Sequence, residues 1–370
     1  MRLPFCDHHI SAFLNDYAKS SKPLDLALSE YLRTHKSIGA HDRRTIGETL
    51  YGMVRWESLI DHFCSTGHPL DRLATYREIS IEECRSDTSI PEPVRYGVNA
   101  FLYHRLRSVY GPEKAKEIAL TLNTQAPTTI RVNLLKTTRE ALLESWKEKF
   151  AMSPCEKSEA GIQFQKREPL FALPEFKAGL FEVQDEGSQL VAALVQPKPG
   201  DHVLDYCSGS GGKTLAFAHQ MQGKGQIYLY DNRPWILQEA RKRLNRAGIQ
   251  NVQFVLPKKK VNWVLADVPC SGTGTLRRNP DAKWKIDAPM IDRLVVQQRE
   301  IVKDALEHML PNGHFVYATC SILPEENEKQ VEYFIKTHGL TLVCEPLSLL
   351  PQEGGMDGFF AAVFKKETLI

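Results

Sequence analysis

The sequence predicts a doubly wound α/β domain built on a parallel sheet, preceded by a helical region and a small α+β part. Three observations carry that prediction. From about Leu180 onward, apolar runs short enough for strands alternate with segments of helical period. One such run, His202 to Cys207, passes directly into the glycine-rich turn Ser208 to Thr214. Another, Val261 to Ala266, reads as a strand buried on both faces and stops at Asp267, Pro269, Cys270 and two glycines. In open α/β sheets ligands bind at the carboxyl ends of the strands, so both endings are candidate site positions.

At 370 residues the chain is long enough for two or three parts and a sizeable core. Hydrophobic residues make up 42% and charged residues 25%, with 47 Lys+Arg against 45 Asp+Glu. A net charge of +2 neither requires nor excludes nucleic acid, because a basic face can sit inside a balanced total. No apolar run approaches the roughly 20 residues of a membrane span. Asp7, His8 and His9 interrupt the segment where a signal peptide would be apolar. The eight cysteines are scattered without a C-x-x-C pair, which points away from a disulfide framework or zinc module and toward a reducing cytoplasm. Cys6, His8 and His9 have no second ligand pair at zinc spacing, so no metal is expected.

Residues 1–122 read as helical. Leu24, Leu28 and Leu32, then Ile46, Leu50, Met53 and Val54, recur at three- and four-residue steps, with Gly39 to Asp42 as the loop and cap between them. Arg33, Lys36, Arg43, Arg44 and Arg55 lie among these helices, as solvated faces or as phosphate contacts. Ser65 to Pro93, poor in periodic apolar residues, reads as a linker, and a further helical segment runs to about Leu122. Over 123–180 the period changes. A β-like Thr129 to Asn133, a helix from Thr138 to Phe150 capped by Thr138, and a strand at Gly161 to Phe164 make a small α+β subdomain. Arg131 and Asn133 suit a phosphate or sugar, or equally the pinning of a loop.

Residues 181–370 form the third part, in which an amphipathic helix at Ser188 to Leu194 and a turn at Pro197 to Gly200 precede the strand that ends in Cys207. The loop Cys207-Ser208-Gly209-Ser210-Gly211-Gly212-Lys213 bends tightly and delivers a helix, over Leu215 to Gln222, whose first N–H groups are free. A phosphate loop would need glycine at 207, where Cys207 stands, and a dinucleotide pattern would need one at 214, where Thr214 stands. A nucleoside carrying a carboxylate or sulfonium is the remaining ligand class. The next strand, Gln226 to Tyr230, ends in Asp231, placed to accept from both ribose hydroxyls of such a nucleoside. Asn232 as cap, Pro234 and Gly248 bound a helix whose apolar face is Ile236, Leu237, Ala240 and Leu244.

A third strand, Val252 to Leu256, runs into Pro257-Lys258-Lys259-Lys260, and the fourth delivers Asp267 and Cys270. Beyond it Arg277, Arg278, Lys283 and Lys285 surround Trp284. Stacking for a base and cations for a backbone are what an unpaired nucleotide requires; a solvated basic loop is the plain alternative. A helix from Ile291 to Met309, a turn at Pro311-Asn312-Gly313 and a fifth strand, His314 to Ala318, lead to Thr319-Cys320-Ser321. A helix over Glu325 to His338 and strands at Leu340 to Val343 and Phe359 to Phe364 complete the chain.

Two neighbouring parallel strands thus each end in a thiol, Pro269-Cys270 and Thr319-Cys320. Further motifs accompany them: Ala126-Pro127 through Arg131-Val132-Asn133, Gln184-Asp185-Glu186-Gly187-Ser188, D-Y-C-S-G-S-G-G-K-T at 205–214, D-V-P-C-S-G-T-G at 267–274, R-R-N-P-D-A-K-W at 277–284, A-T-C-S at 318–321 and Asp357-Gly358-Phe359-Phe360. With these, most of the chain resembles the RNA cytosine-C5 methyltransferases of the bacterial 16S rRNA type (RsmB/Fmu/Sun) and the related eukaryotic Sun group. The resemblance implies a Rossmann-like class I methyltransferase domain that uses S-adenosylmethionine, with residues 1–122 binding RNA. It assigns Cys320 as the nucleophile that adds to C6 of cytosine, making C5 rich enough in electrons to take a methyl group from a sulfonium. Asp267 would bond the N3/N4 edge and stabilise the charge developing there. Cys270 would assist loss of the C5 proton or release of Cys320.

By the same resemblance Cys207, Ser208, Gly209, Ser210, Gly211, Gly212, Lys213, Asp231 and Asp267 would hold the donor. Each thiol would need a lowered pKa, which a cation such as Lys213 would supply. The family pattern has an acid after the third strand, near the adenine; Lys258, Lys259 and Lys260 stand there instead, which puts donor affinity in question. Ser208-Gly209-Ser210 replaces the commoner Ala-Ala-Pro. The expected protein is a cytoplasmic monomer, without metal or membrane, that methylates cytosine in RNA drawn from its stack, in 16S rRNA or alternatively in tRNA. A competing reading is a non-catalytic RNA-binding or ribosome assembly factor on the same scaffold, marked by salt-sensitive RNA binding without donor binding. A Rossmann oxidoreductase would need the glycine pattern that the loop lacks.

Overall fold

The computed structural model describes residues 3–366. The chain divides into two compact units: one runs to Gln125 and includes Thr275–Ala288, and the other takes Ala126–Gly274 and continues from Pro289. The division at 122 and 180 read from the sequence differs in two respects. The small α+β subdomain belongs to one unit with the parallel sheet, and the basic loop after Gly274 belongs with the helices.

In the helical unit the three- and four-residue spacing resolves into helices Phe5–Tyr17, Leu24–Thr34, Ala40–Arg55, Glu57–Phe63, Ala100–Tyr110 and Pro112–Thr121. Ile10, Phe13, Leu28, Ile46 and Leu50 form its core. The expected linker is instead helical, at Pro69–Glu78, Ile81–Ser86 and Glu92–Arg95. The side chains of His68 and Ser80 cap the first two, and Leu73 is the buried residue of the first while the second buries none, so little periodicity was there to read. The basic loop is also not the open nucleotide platform its composition suggested. Lys283 is fully buried, its Nζ donating to Arg55 O at 2.7 Å and to Asn123 Oδ1. The Trp284 indole N–H donates to Val54 O at 2.8 Å, and its ring packs on the helical core. Burial, then the nearby Arg55 charge, hold the Lys283 amine well below its usual range. These two residues anchor the loop within its own unit.

The second unit contains two sheets. The smaller uses β1 (Thr128–Val132), β2 (Met152–Pro154), β3 (Gly161–Phe164) and β4 (Phe181–Val183) in the antiparallel order β2-β3-β1-β4. Thr138 Oγ1 accepts from Ala141 N at 3.1 Å and caps the helix Arg139–Trp146, whose Trp146 packs on Ile130, Ile162 and Phe181. Arg131 and Asn133 pin loops: Arg131 Nη1 donates to Gly212 O at 3.1 Å, and Asn133 Nδ2 to Gly179 O and Ala247 O at 2.8 and 2.9 Å.

The larger sheet comprises β5 (His202–Asp205), β6 (Gln226–Leu229), β7 (Val252–Gln253), β8 (Val261–Asp267), β9 (Met309–Thr319), β10 (Leu340–Leu342), β11 (Leu347–Leu349) and β12 (Phe359–Lys366). Its order is β10-β12-β9-β8-β5-β6-β7, with β11 also on β12. Strands β5 to β9 pair in parallel and β12 is antiparallel to β9. Val264 and Ala266 of β8 face one core with Val302 and Phe334, while Trp263 and Leu265 face the other with Phe217 and Leu244, which is why β8 reads as a continuous apolar run. Winding leaves β5 toward β6 on one side and toward β8 on the other, so the crevice opens at the ends of β5 and β8.

Several details depart from the sequence reading. The third strand is the short β7, β11 was not foreseen, and Arg233, not Asn232, stands at the N-cap of the helix Pro234–Ala247. Pro311-Asn312-Gly313 does not end a helix but makes an irregularity within β9, where pairing shifts register and Asn312 takes φ 64°. Among the described residues no helix is long and apolar enough to cross a membrane, and no group of three or more His, Cys, Asp or Glu could hold a metal.

Candidate active site

The loop after β5 turns through Gly209 (φ 51°) and Gly211 (φ 77°), conformations that side chains rarely adopt, before the helix Thr214–Phe217 begins. It is fixed from several sides. Ser208 N donates to Tyr230 O at 3.0 Å, Arg243 Nη1 donates to Ser210 O at 3.0 Å, and Arg131 and Gln184 both reach Gly212 O. Arg243, on the helix Pro234–Ala247, is itself held by Glu182 at 3.1 Å, which ties that helix, β4 and the loop together. Gln184, Arg243 and Glu182 were not foreseen as supports; their signal lies in tertiary proximity, not in local pattern.

Three carboxylates ring the loop. Asp231, at the end of β6, accepts from Gly209 N at 2.9 Å and from Arg233 N, Nε and Nη2 at 2.9, 2.9 and 3.1 Å. Burial opposes its ionisation, but these donors outweigh it and hold the carboxyl below its usual range. Asp267, at the end of β8, takes the Lys213 ammonium. Burial works against the Lys213 charge, but Asp267 outweighs it and the amine is held above its ordinary pKa. Asp205 is fully buried; its Oδ2 accepts from Thr214 Oγ1 at 2.7 Å while Oδ1 has no partner.

Burial raises the Asp205 pKa from 3.8 to about 7. A carboxyl raised in this way binds its proton in the native state where the unfolded chain has lost it, so stability falls as pH rises from about 4 through 7. Above pH 7 the difference costs about 4 kcal/mol. Asp205→Asn is therefore expected to melt higher than wild type at pH 8.5, and to lose that advantage at acid pH. Parallel pH dependences in thermal melts of the two proteins would contradict it.

The two thiols meet. Cys270 Sγ lies 3.3 Å from Cys320 Sγ and accepts from Cys320 N at 3.3 Å. The expectation that both thiols carry lowered pKa values fails at Cys270. Its contact with Cys320, then burial, push it well above the usual thiol range, while the Lys213 charge is engaged by Asp267. A thiol held protonated can donate a proton but is a poor nucleophile, since the thiolate is the attacking form. Burial, reinforced by Asp267, raises Cys207 too.

A cavity of about 730 Å³ is lined by Asp205, Cys207 to Ser210, Gly212, Lys213, Asp231, Asp267, Cys270 and Cys320. Of the residues that the resemblance assigns to the donor or to catalysis, only Gly211 does not line it; a Cβ at that position would meet Leu229 and Ala240. Tyr230, Val268 and Ile301 provide the apolar wall. Lys258, Lys259 and Lys260 are exposed and none lines the cavity.

The doubly wound sheet with its antiparallel β12, the glycine loop and Asp231 define the fold of an S-adenosylmethionine-dependent methyltransferase. Comparisons place the chain further. Residues 192–365 match the family described as 16S rRNA methyltransferase RsmB/F, and residues 99–170 match the ferredoxin-like domain of the RsmF/B-like methyltransferases. A probable ribosomal RNA small subunit methyltransferase B of Synechocystis sp. is 30% identical over 300 residues, covering 74% of this chain and 67% of the relative. Among solved structures, that of PH0851 is similar with a TM-score of 0.80 at 22% identity, over 99% of this chain and 100% of that one. NSun6 from Pyrococcus horikoshii, solved with SFG, is similar with a TM-score of 0.65 at 21% identity, over 73% of this chain and 98% of that one. The chain belongs to the RsmB/F methyltransferase family and spans about two thirds of the length of the Synechocystis relative.

Proposed function

We propose that this protein transfers a methyl group from S-adenosylmethionine to C5 of a cytosine in 16S rRNA, through a transient bond between Cys320 and C6. The observation that carries the reading is the pair of thiols, 3.3 Å apart, in one cavity with the glycine loop and Asp231. The cavity suits the donor: bare backbone at Gly209 and Gly212, an unpartnered Asp205 oxygen and the Asp231 carboxylate offer acceptors to a nucleoside with a cationic amino-acid arm. When bound, the donor supplies an electrophilic methyl group. The Cys320 thiolate adds to C6, the Asp267 carboxylate accepts from the cytosine N4 amino group and so sets the base, and the electron pair pushed to C5 takes the methyl group. The C5 proton is then lost to solvent, the C6–S bond breaks with its electron pair returning to Cys320, and the Cys270 thiol 3.3 Å away donates its proton to the departing sulfur. Ribosomal RNA is proposed because the related Synechocystis protein is named for it, and the cytoplasm is the compartment this implies.

Incubation with tritiated S-adenosylmethionine and 16S rRNA, small-subunit particles or tRNA, followed by digestion to nucleosides, should place label in 5-methylcytidine from the ribosomal substrates. Label in another nucleoside would refute the C5 chemistry, and label confined to tRNA the substrate. Donor affinity carries its own expectation. Arg233 occupies both oxygens of Asp231, where a ribose diol must bond, and its side chain is half exposed. Arg233→Ala is expected to tighten donor binding about threefold, the worth of one exposed ion pair. Weaker binding by calorimetry would show Arg233 to be a donor contact.

A further inference from the structure

The turns that carry the two thiols are each tied to one of two consecutive buried residues, Glu326 and Asn327. Around Cys270, the residue before and the residue after are both held. Pro269 O accepts from Gln298 Nε2 at 3.1 Å, and Ser271 N donates to Glu326 Oε1 at 2.9 Å. Gln298 Nε2 also donates to Glu326 Oε1 at 3.0 Å, and the Ser271 hydroxyl donates to Oε2 at 2.5 Å. Gln330 Nε2 donates to Gln298 Oε1 at 2.9 Å, which fixes the amide so that its N–H groups face Pro269 and Glu326. Around Cys320 the same pattern recurs with Asn327: the Thr319 hydroxyl donates to Asn327 Oδ1 at 2.7 Å, and Asn327 Nδ2 donates to Ser321 O at 2.9 Å. Gln298, Glu326 and Asn327 do not line the cavity.

We infer that Glu326 and Asn327 are positioning residues that divide the two thiols between them, Glu326 with Gln298 setting the Cys270 turn and Asn327 setting the Cys320 turn. The inference rests on the two-thiol reading above. The chemistry of each side chain suits its task. Ser271 N–H, Ser271 O–H and Gln298 N–H converge on Glu326, which only a carboxylate can accept in full. Asn327 accepts from a hydroxyl through Oδ1 and donates to a carbonyl through Nδ2, and an ionised Asp in its place could not donate. The isosteric exchanges Glu326→Gln and Asn327→Asp therefore keep shape and break one set of bonds each.

The test separates the two roles by what accumulates. Wild type, Glu326→Gln and Asn327→Asp are incubated with tritiated S-adenosylmethionine and 16S rRNA, and RNA label and denaturation-resistant protein–RNA adduct are both measured. Glu326→Gln should lose about tenfold in label and accumulate adduct, since addition by Cys320 persists while proton transfer at Cys270 is misplaced. Asn327→Asp should lose label and adduct together. Melting and donor affinity report whether each variant is folded, and Gln298→Met, which frees Pro269 O, should reproduce the Glu326→Gln pattern if that variant is not. Equal loss of label and adduct in both variants, as purely structural damage gives, or no loss in either, would overturn the inference. Cys270→Ala and Cys320→Ala as controls distinguish that outcome from failure of the two-thiol reading itself.

Discussion

Cys320→Ala is expected to abolish methylation, and Cys270→Ala to trap the protein on its RNA. The first follows from the chemistry of cytosine, whose C5 has too little electron density to attack a methyl sulfonium unless a nucleophile has added at C6. Without Cys320 no such nucleophile reaches the base, and a loss on the order of ten-thousand-fold or more is expected, the scale seen when covalent nucleophiles are removed. The second follows from the geometry. Cys270 lies 3.3 Å from Cys320 and is held protonated by that contact and by burial. A group in that state can donate a proton to the departing Cys320 sulfur but is a poor nucleophile in its place. Its removal leaves addition and methyl transfer open and closes the exit. Denaturing gels with labelled RNA should therefore show no adduct for Cys320→Ala and abundant adduct for Cys270→Ala; adduct in the former would reverse the assignment.

The second large effect is on folding. Gly274 ends the turn that begins at Cys270, its N–H donating to Cys320 O at 2.9 Å and its carbonyl accepting from Gly358 N at 2.8 Å. A Cβ at 274 would stand 2.2 Å from Gly358 O and 2.6 Å from Gly358 C, backbone atoms that cannot swing aside as a side chain would. Gly274→Ala must push β9 and the start of β12 apart from the Cys270 turn. A loss of about 3 kcal/mol or more is expected, at or beyond the upper end of ordinary overpacking. Gly209→Ala is the contrast, because nothing lies within 4 Å of its Cβ and only its φ of 51° is strained. Thermal melts should place Gly274→Ala far below both wild type and Gly209→Ala, and equal melting of the two variants would contradict the close approach of Gly274 and Gly358.

Much of the site was legible because it sits where strands stop. Asp231, Asp267, Cys270 and Cys320 each lie within a few residues of the end of an apolar run, and a strand end in a parallel sheet is a position with a known address. The glycine loop was legible for a related reason, since Gly209 and Gly211 take conformations that other residues avoid. What failed were readings that depend on partners far away in sequence. Lys283 and Trp284 have the composition of a nucleotide-binding loop, and only the folded chain shows Arg55, Val54 and Asn123 waiting for them. The Cys270 thiol looked set to be acidified by Lys213, but Asp267 holds that ammonium and Cys320 raises the thiol instead. Glu326 and Asn327 drew no notice because an acid and an amide ahead of a helix read as an ordinary cap, while their bonds run to Ser271 and Ser321.

The identity of the sulfur that bonds the base decides the account. RNA carrying 5-fluorocytosine, whose C5 cannot shed a proton after methyl transfer, should hold wild-type protein at the adduct, and digestion followed by mass spectrometry then shows which cysteine bears the nucleotide. The account predicts the added mass on the peptide that contains Cys320. Mass on the peptide that contains Cys270 would contradict it.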